Sequence, residues 1–317
     1  MIKIRPFTPT DSEYKTIIQL RNAIQPDNPS SVKIWRHWDQ NRNPNDIFHR
    51  VVVEKEGALI AYGNYGETAV KNGSYFLEAH IHPAYQGGSL TARLYDHMTS
   101  ALQAYQPIRL IAHIRENETM KLHWLTQNGF KQGKRYPISH LDVARFDPAP
   151  YADLLAKIAG DGIEIVSLAK LAQRDPDWQR QVYEMDFILM SDVPTTEPYV
   201  KRPFSQFVQD EFEHPNFLLD GWFIALDGNQ YIGLTGLVKI GGQTKKVATA
   251  LTGVRHSHRR RGIATALKIT SFQYAQRIGT QIIKTDNEEN NPMYQINLNL
   301  GFIPQPAWLD FIKAPAF

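Results

Sequence analysis

The chain is 317 residues long, enough for about two domains that each bury a core of their own. With 42% hydrophobic and 21% charged residues it reads as a water-soluble globular protein, and no apolar run reaches the roughly 18 residues of a membrane-spanning helix. The lack of any cysteine excludes disulfides, acyl-cysteine intermediates and thiolate metal sites, and a balance of 35 basic against 32 acidic residues is far from that of a dedicated nucleic-acid binder.

The opening Met1-Ile-Lys-Ile-Arg-Pro lacks the apolar stretch of a signal peptide and reads as a first strand; a cytoplasmic address, compatible with the lack of cysteine, is expected. A mixed polar and apolar segment follows at residues 11–24. Strands are expected at 50–53, 59–65 and 75–81, then a helix from Leu90, a strand at 108–114 and a helix reaching Asn128 before Gly129-Phe130. Phe146-Asp-Pro-Ala-Pro150 divides the chain, with a short helix and Gly160-Asp-Gly162 behind it. Ile163-Glu-Ile-Val166 then reopens the pattern, followed by a helix at 175–190. The apolar run 222–225, the Asp227-Gly228 turn, the strand 231–239, the Gly241-Gly242 turn and the return strand 246–254 make an antiparallel meander. From Gly262 to Ile278, Ile263, Ala266, Leu267, Tyr274 and Ile278 share one helical face, and Gly279 is a stop signal. A strand at 281–285 leads to Asn291 as N-cap, Pro292 at the first helical position, and a helix ending before Gly301.

The two halves repeat. Gln86 precedes Gly129-Phe130 by about 43 positions, and Arg259 precedes Gly301-Phe302 by about 42. The fold class expected is α+β with a mixed sheet in each of two tandem units: residues 1–145, a linker at 146–162, and residues 163–317.

Chemistry concentrates in Thr252-Gly-Val-Arg-His-Ser-His-Arg-Arg-Arg-Gly-Ile-Ala-Thr-Ala-Leu-Lys268, a strand, a basic loop and a helix start. A helix N-terminus presents unpaired N–H groups and the positive end of a dipole, which suit phosphate oxygens. Gly262 and Ala264 leave little bulk over those donors, and Arg259, Arg260 and Arg261 surround them with positive charge. A solvated basic loop that merely precedes a helix is the plainer alternative.

Arg259-Arg-Arg-Gly262-Ile-Ala264 resembles the Gln/Arg-x-x-Gly-x-Gly/Ala signature of the GCN5-related N-acetyltransferases, and Asn290 and Leu300-Gly301-Phe302 fall where that family builds its acetyl-coenzyme-A site. The tandem layout is similar to that of two-domain members of the mycothiol synthase type. The resemblance implies acetyl-CoA as co-substrate. The backbone of Thr252, Gly253 and Val254 would pair with pantetheine. Arg259, Arg260, Arg261, Gly262, Ile263, Ala264 and Thr265 would hold the pyrophosphate, with Asn290 near the pantetheine arm. The reaction implied is direct attack of a neutral amine on the thioester, which needs a base and an acid.

Many members carry the acid as a tyrosine four residues before the glycine of Leu-Gly-Phe. Asn297 stands there, and Tyr294, one helical turn earlier, is the substitute candidate. The return strand carries no carboxylate, so Asp192 and Glu184, in the segment where the family builds its acceptor pocket, are the candidate bases. Each of these three also has an ordinary reading, as a packed tyrosine or solvated carboxylates. In the first half, Tyr85-Gln86-Gly-Gly-Ser89-Leu-Thr91 departs from the signature and lacks arginines, so cofactor binding there is expected to be weakened or lost, although Gly87 and Gly88 leave room for a shifted anion loop.

His80-Ile-His82 and His256-Ser-His258 each resemble half of a metal site, but no further ligand is placed by sequence and no metal is expected. Trp35-Arg-His-Trp38 and Trp222-Phe223 read as core packing or pocket walls. The reading is an N-acetyltransferase whose C-terminal domain transfers acetyl to the amine of a small molecule, with no nucleic-acid or membrane partner. A non-catalytic acyl-CoA-binding sensor or interaction protein is the alternative.

Overall fold

The computed structural model describes residues 2–86 and 89–314. They divide into two units. Unit 1 holds the chain up to Tyr136 together with Thr195–Val200 and the segment from Pro306; unit 2 holds Pro137–Pro194 and Lys201–Gln305.

In chain order, the first repeat runs β1 (Ile2–Pro6), α1 (Asp11–Ile24), α2 (Val32–Asn41), β2 (Phe48–Lys55), β3 (Ala58–Glu67), β4 (Ser74–Ile81), α3 (Leu90–Leu102), β5 (Arg109–Arg115), α4 (Thr119–Gln127) and β6 (Lys131–Asp142). The second runs α5 (Ala152–Gly160), β7 (Ile163–Ser167), α6 (Leu168–Leu171), α7 (Trp178–Met190), α8 (Phe204–Phe207), β8 (Trp222–Asp227), β9 (Gln230–Ile240), β10 (Gln243–Val254), α9 (Ile263–Arg277), β11 (Ile282–Asp286), α10 (Pro292–Asn299) and β12 (Ile303–Lys313).

Local chemistry sets the helix ends. Thr10 caps α1 by accepting from the Glu13 N–H, Ser31 caps α2 through the Ile34 N–H, and Asn291 caps α10 through the Met293 N–H ahead of Pro292. The strands of unit 1 send Val53, Ile60 and Leu77 into one core with Leu94 and Met98 of α3, and Val52 and Tyr62 into another with Ile17 of α1 and Ile34 of α2. In unit 2, Leu237, Val247, Ile283 and Phe302 meet the Ile269, Phe272 and Ala275 face of α9.

Both units use the same strand plan. In unit 1, β1, β2, β3 and β4 pair antiparallel in sequence, β4 pairs β5 in parallel, and β5 pairs antiparallel with Trp308–Lys313 of β12. In unit 2, β7, β8, β9 and β10 pair antiparallel, β10 pairs β11 in parallel, and β11 pairs antiparallel with Ile138–Asp142 of β6. The parallel pairs are joined through α3 and α9, as a parallel connection requires. The closing strand of each sheet comes from the other repeat: β6 follows α4 but serves unit 2, and β12 follows α10 but serves unit 1.

This connectivity redraws the expected boundaries. The segment 146–162 is part of unit 2 rather than a linker: Phe146 and Ile158 are buried, and Leu154 and Leu155 of α5 pack on the same cores. Its Pro-rich start marks a turn before a docked helix.

Candidate functional site

The site grows from an interruption in the unit 2 sheet. β10 pairs with β11 only from Lys246 to Ala248, opposite Ile282 to Lys284. β11 then continues to Asp286 on β6, while β10 continues to Val254 on β9. A bulge accompanies the parting: Thr249 faces Leu237 and Thr252 faces Thr235, so β10 carries one residue more than β9 across that step. Beyond Ala248, the β10 edge that faced β11 has no further strand partner among the described residues. Thr252 and Gly253 are half-buried there, and the Thr249 Oγ1, also buried, has no hydrogen-bond partner. A buried orphan hydroxyl beside an open strand edge is what a ligand with polar groups would satisfy.

After Val254 the chain turns through His256–His258 and reaches α9 by two residues in the left-handed region, Arg260 at φ 61° and Gly262 at φ 84°. Glycine takes this conformation without penalty, and a Cβ on Gly262 would stand 2.6 Å from Leu154 Cδ1. No side chain caps the N-terminus of this 15-residue helix. The N–H groups of its first turn at Ile263, Ala264 and Thr265 are therefore available to an anion.

The three arginines differ. Arg259 donates from Nε to the Val254 carbonyl at 3.0 Å and pairs through its Nη2 with Asp192. Arg261 lies 3.6 Å from Asp161, and Arg260 is exposed. The loop thus offers one uncommitted guanidinium, two held by exposed carboxylates, and a helix N-terminus. The loop and the first turn of α9 supply donors of the kind a pyrophosphate takes, and the open β10 edge supplies strand donors and acceptors of the kind an amide-bearing arm takes.

The acid and base candidates are more dispersed. Asp192, just past α7, is the Arg259 partner. Glu184, on α7, accepts from Lys201 Nζ at 2.7 Å. Tyr294 is half-buried on α10, and its hydroxyl makes no hydrogen bond with the described residues. Asn297 is fully buried and donates from Nδ2 to Asn287 Oδ1 at 2.6 Å, leaving its own Oδ1 unpartnered. Asn290 is exposed and folded onto Glu288, which accepts from its backbone N–H at 2.9 Å and its Nδ2 at 3.0 Å.

Several charged groups escaped sequence reasoning. Lys268 on α9 is wholly buried, its ammonium meeting no acceptor and lying 5.9 Å and 5.7 Å from the Phe272 and Phe302 rings. Burial pushes its pKa down to about 7. In unit 1, Asp310 accepts from His113 Nδ1 at 2.8 Å, from Tyr136 at 3.3 Å and from Thr196, while His113 stacks on Trp308. The Asp310 carboxylate holds a proton on His113 Nδ1 and fixes the ring's orientation. On β4, just past the last residue paired with β5, Glu78 lies 3.7 Å from His80 and accepts from Asn64 at 3.3 Å. Burial raises the Glu78 pKa, and the contacts with His80 and Asn64 outweigh it, so the carboxyl sits below its ordinary range. The His113 and Asp310 positions are 197 apart, and no local signal joins them.

The equivalent loop of unit 1 passes through Pro83–Tyr85, and α3 begins after Ser89 without a side-chain cap. Gly87 and Gly88, where a shifted anion loop was expected, lie outside the described residues. His258 is engaged by Ser257 and Asp227, and no group of three or more potential ligands among the described residues is placed to hold a metal. No described helix is long and apolar enough to cross a membrane.

Residues 176–302 match the acetyltransferase (GNAT) family. That stretch is a GNAT domain. It contains the open β10 edge, the arginine loop and α9, so the family match and the anion-binding geometry coincide. The whole chain is similar to a GCN5-related N-acetyltransferase from Sphaerobacter thermophilus, at 18% identity and a TM-score of 0.70, over 100% of this chain and 97% of that one. It is also similar to a tandem GNAT protein from the clavulanic acid biosynthesis pathway, at 17% identity and a TM-score of 0.75, over 100% of both chains. A GCN5-related glucosamine N-acetyltransferase region of a fungal multi-domain beta-N-acetylglucosaminidase matches at 12% identity and a TM-score of 0.68, over 98% of this chain and 38% of that one. No curated protein matches the chain. The fold is that of two GNAT units in tandem. GNAT proteins transfer acyl groups and use an acyl-CoA as co-substrate.

Proposed function

We propose that the chain is a cytoplasmic N-acetyltransferase that moves acetyl from acetyl-CoA to the amine of a small molecule, with the cofactor held in unit 2. The observation that carries this reading is the coincidence of an unpaired β10 edge, an uncapped α9 N-terminus and an arginine-rich loop within one GNAT domain. In the transfer, the amine nitrogen bonds to the thioester carbon and the C–S bond breaks. The ammonium proton leaves to a base, and the CoA thiolate takes up a proton. N–H groups on the open β10 edge are the donors for the developing oxyanion.

Tyr294 is the candidate acid because its hydroxyl is uncommitted. Asp192 and Glu184 must each leave a cation before acting as base.

Thiol release from acetyl-CoA, followed with a panel of small amines, tests the function. Turnover with at least one amine is expected. Saturable CoA binding without thiol release for any amine would favour an acyl-CoA sensor instead. Tyr294→Phe, assayed in the same way, tests the acid assignment.

A further inference from the structure

Unit 1 contains a cavity of about 630 Å³ that lies away from its cofactor-type loop. Its walls come from the β1–α1 turn, α2 and the start of β2. Phe48 opposes Gly66 on β3, and Gly66 opposes Phe76 near the beginning of β4. The loop toward α3 leaves β4 at its other end, after Ile81, roughly 17 Å further along the strand.

The cavity is built around one carboxylate and two guanidinium groups. Asp39 accepts from Arg50 through both oxygens, at 2.7 Å and 3.1 Å, and from the Tyr14 hydroxyl at 2.7 Å. Arg50 is only 7% exposed and also donates to Asn64, so each of its three nitrogens is engaged within the protein. Arg42 is different. Its guanidinium lies 3.4 Å from the centre of the Phe48 ring, and its ion pair is a long one, 3.7 Å to the already occupied Asp39. A partly desolvated guanidinium held over an aromatic ring, with most of its donors unused, suits an anion. Arg36, also in the wall, lies over Tyr14 and pairs with Asp11, whose side chain is 82% exposed. Three arginines against two aspartates leave one positive charge, while Phe7, Pro9, Tyr14 and Phe48 supply apolar wall. The volume is that of a metabolite-sized ligand.

We infer that this cavity is a binding site for a small organic anion, a carboxylate or phosphate borne on an apolar or ring-containing body. The anion takes the open edge of Arg42 and draws Arg36 from Asp11, a surface pair that costs little to exchange. The ring packs between Phe48 and the Phe7–Pro9 turn. The inference is independent of the acetyl-transfer reading, since it concerns a different end of the unit 1 sheet.

Titration calorimetry on the full chain, with phenyl phosphate and phenylacetate as probes and phenylacetamide as the neutral control, tests it. One saturable site per chain is expected for at least one anion below about 10 mM, with phenylacetamide at least tenfold weaker. Arg42→Gln should weaken the anion at least tenfold, with Arg36→Gln a smaller loss, while acetyl-CoA binding stays as in the parent chain. The site is refuted by lack of saturation with both anions, by equal binding of phenylacetamide, by indifference to Arg42→Gln, or by displacement of the probe with CoA.

Discussion

The carboxylate of Asp192 binds the guanidinium of Arg259, so a residue expected to serve the acceptor and one expected to serve the pyrophosphate neutralise each other. Both side chains are substantially exposed, and such a pair contributes at most about 1 kcal/mol. Arriving phosphate oxygens can therefore displace Asp192 at small cost. Asp192→Asn should tighten acetyl-CoA by about two- to fivefold, and Arg259→Gln should weaken it about tenfold, both read by calorimetry. Weaker binding in Asp192→Asn would show that the carboxylate orders the loop instead of competing for it.

Gly262 combines φ 84° with a neighbour that a Cβ would strike. Gly262→Ala should cost about 1–3 kcal/mol of stability and weaken acetyl-CoA, because the strained turn shifts the first N–H groups of α9. Gly262→Asp adds a negative charge at the anion position and should abolish binding. Thermal unfolding and titration of both variants check this; full affinity in Gly262→Asp would remove the pyrophosphate from this loop.

Tyr294→Phe removes one oxygen from a half-buried helix residue. If that hydroxyl protonates the departing thiolate, turnover should fall about 10²-fold with acetyl-CoA affinity nearly unchanged. An unaltered rate transfers the role to water or another group, or means that the thiolate leaves unassisted.

Much of this site was legible because its parts are local in sequence. The β10 strand, the arginine run, Gly262 and the α9 face follow one another without a break, and Gly301-Phe302 closes a second copy of the same spacing. Contacts across long separations were not legible. Nothing near Asp192 announces Arg259, and nothing near His113 announces Asp310. Strand partnership was hidden for a related reason: an alternating strand such as β6 or β12 carries the same pattern whichever edge it joins. The docking of α5 was within reach, since Leu154, Leu155 and Ile158 share one helical face, but the prolines ahead of it drew the boundary.

Lys268 makes stability depend on pH in a defined direction. Its folded pKa, near 7, is below the ordinary lysine value, so between the two the unfolded chain binds the extra proton. Below about pH 7 the lysine is charged in both states and the burial cost is borne in full; as pH rises toward the unfolded value, that cost is relieved. The Lys268 contribution should therefore make the protein more stable at pH 9 than at pH 7. Lys268→Met should raise the melting temperature at pH 7 and narrow its gap to the parent chain at pH 9. Parallel melting curves for parent and variant across that range would disprove the buried-charge account.

The strand plan decides where the chain can be cut. A fragment beginning at residue 163 keeps the whole arginine loop and α9 but loses Ile138–Asp142, which pair along β11 from Ile282 to Asp286. It also loses α5, whose Ile158 is buried with Ile263 and Leu267. The first loss bares the backbone edge of β11, a template for aggregation, and the second opens the core beneath the anion loop. A fragment beginning at residue 137 retains both. The longer fragment should be soluble, melt cooperatively and bind acetyl-CoA, whereas the shorter one should aggregate or melt without a sharp transition. Circular dichroism melts and calorimetry on the two fragments provide the comparison. A residue-163 fragment as stable and as tight in binding as the residue-137 fragment would mean that β6 and α5 are dispensable to the fold that holds the cofactor site.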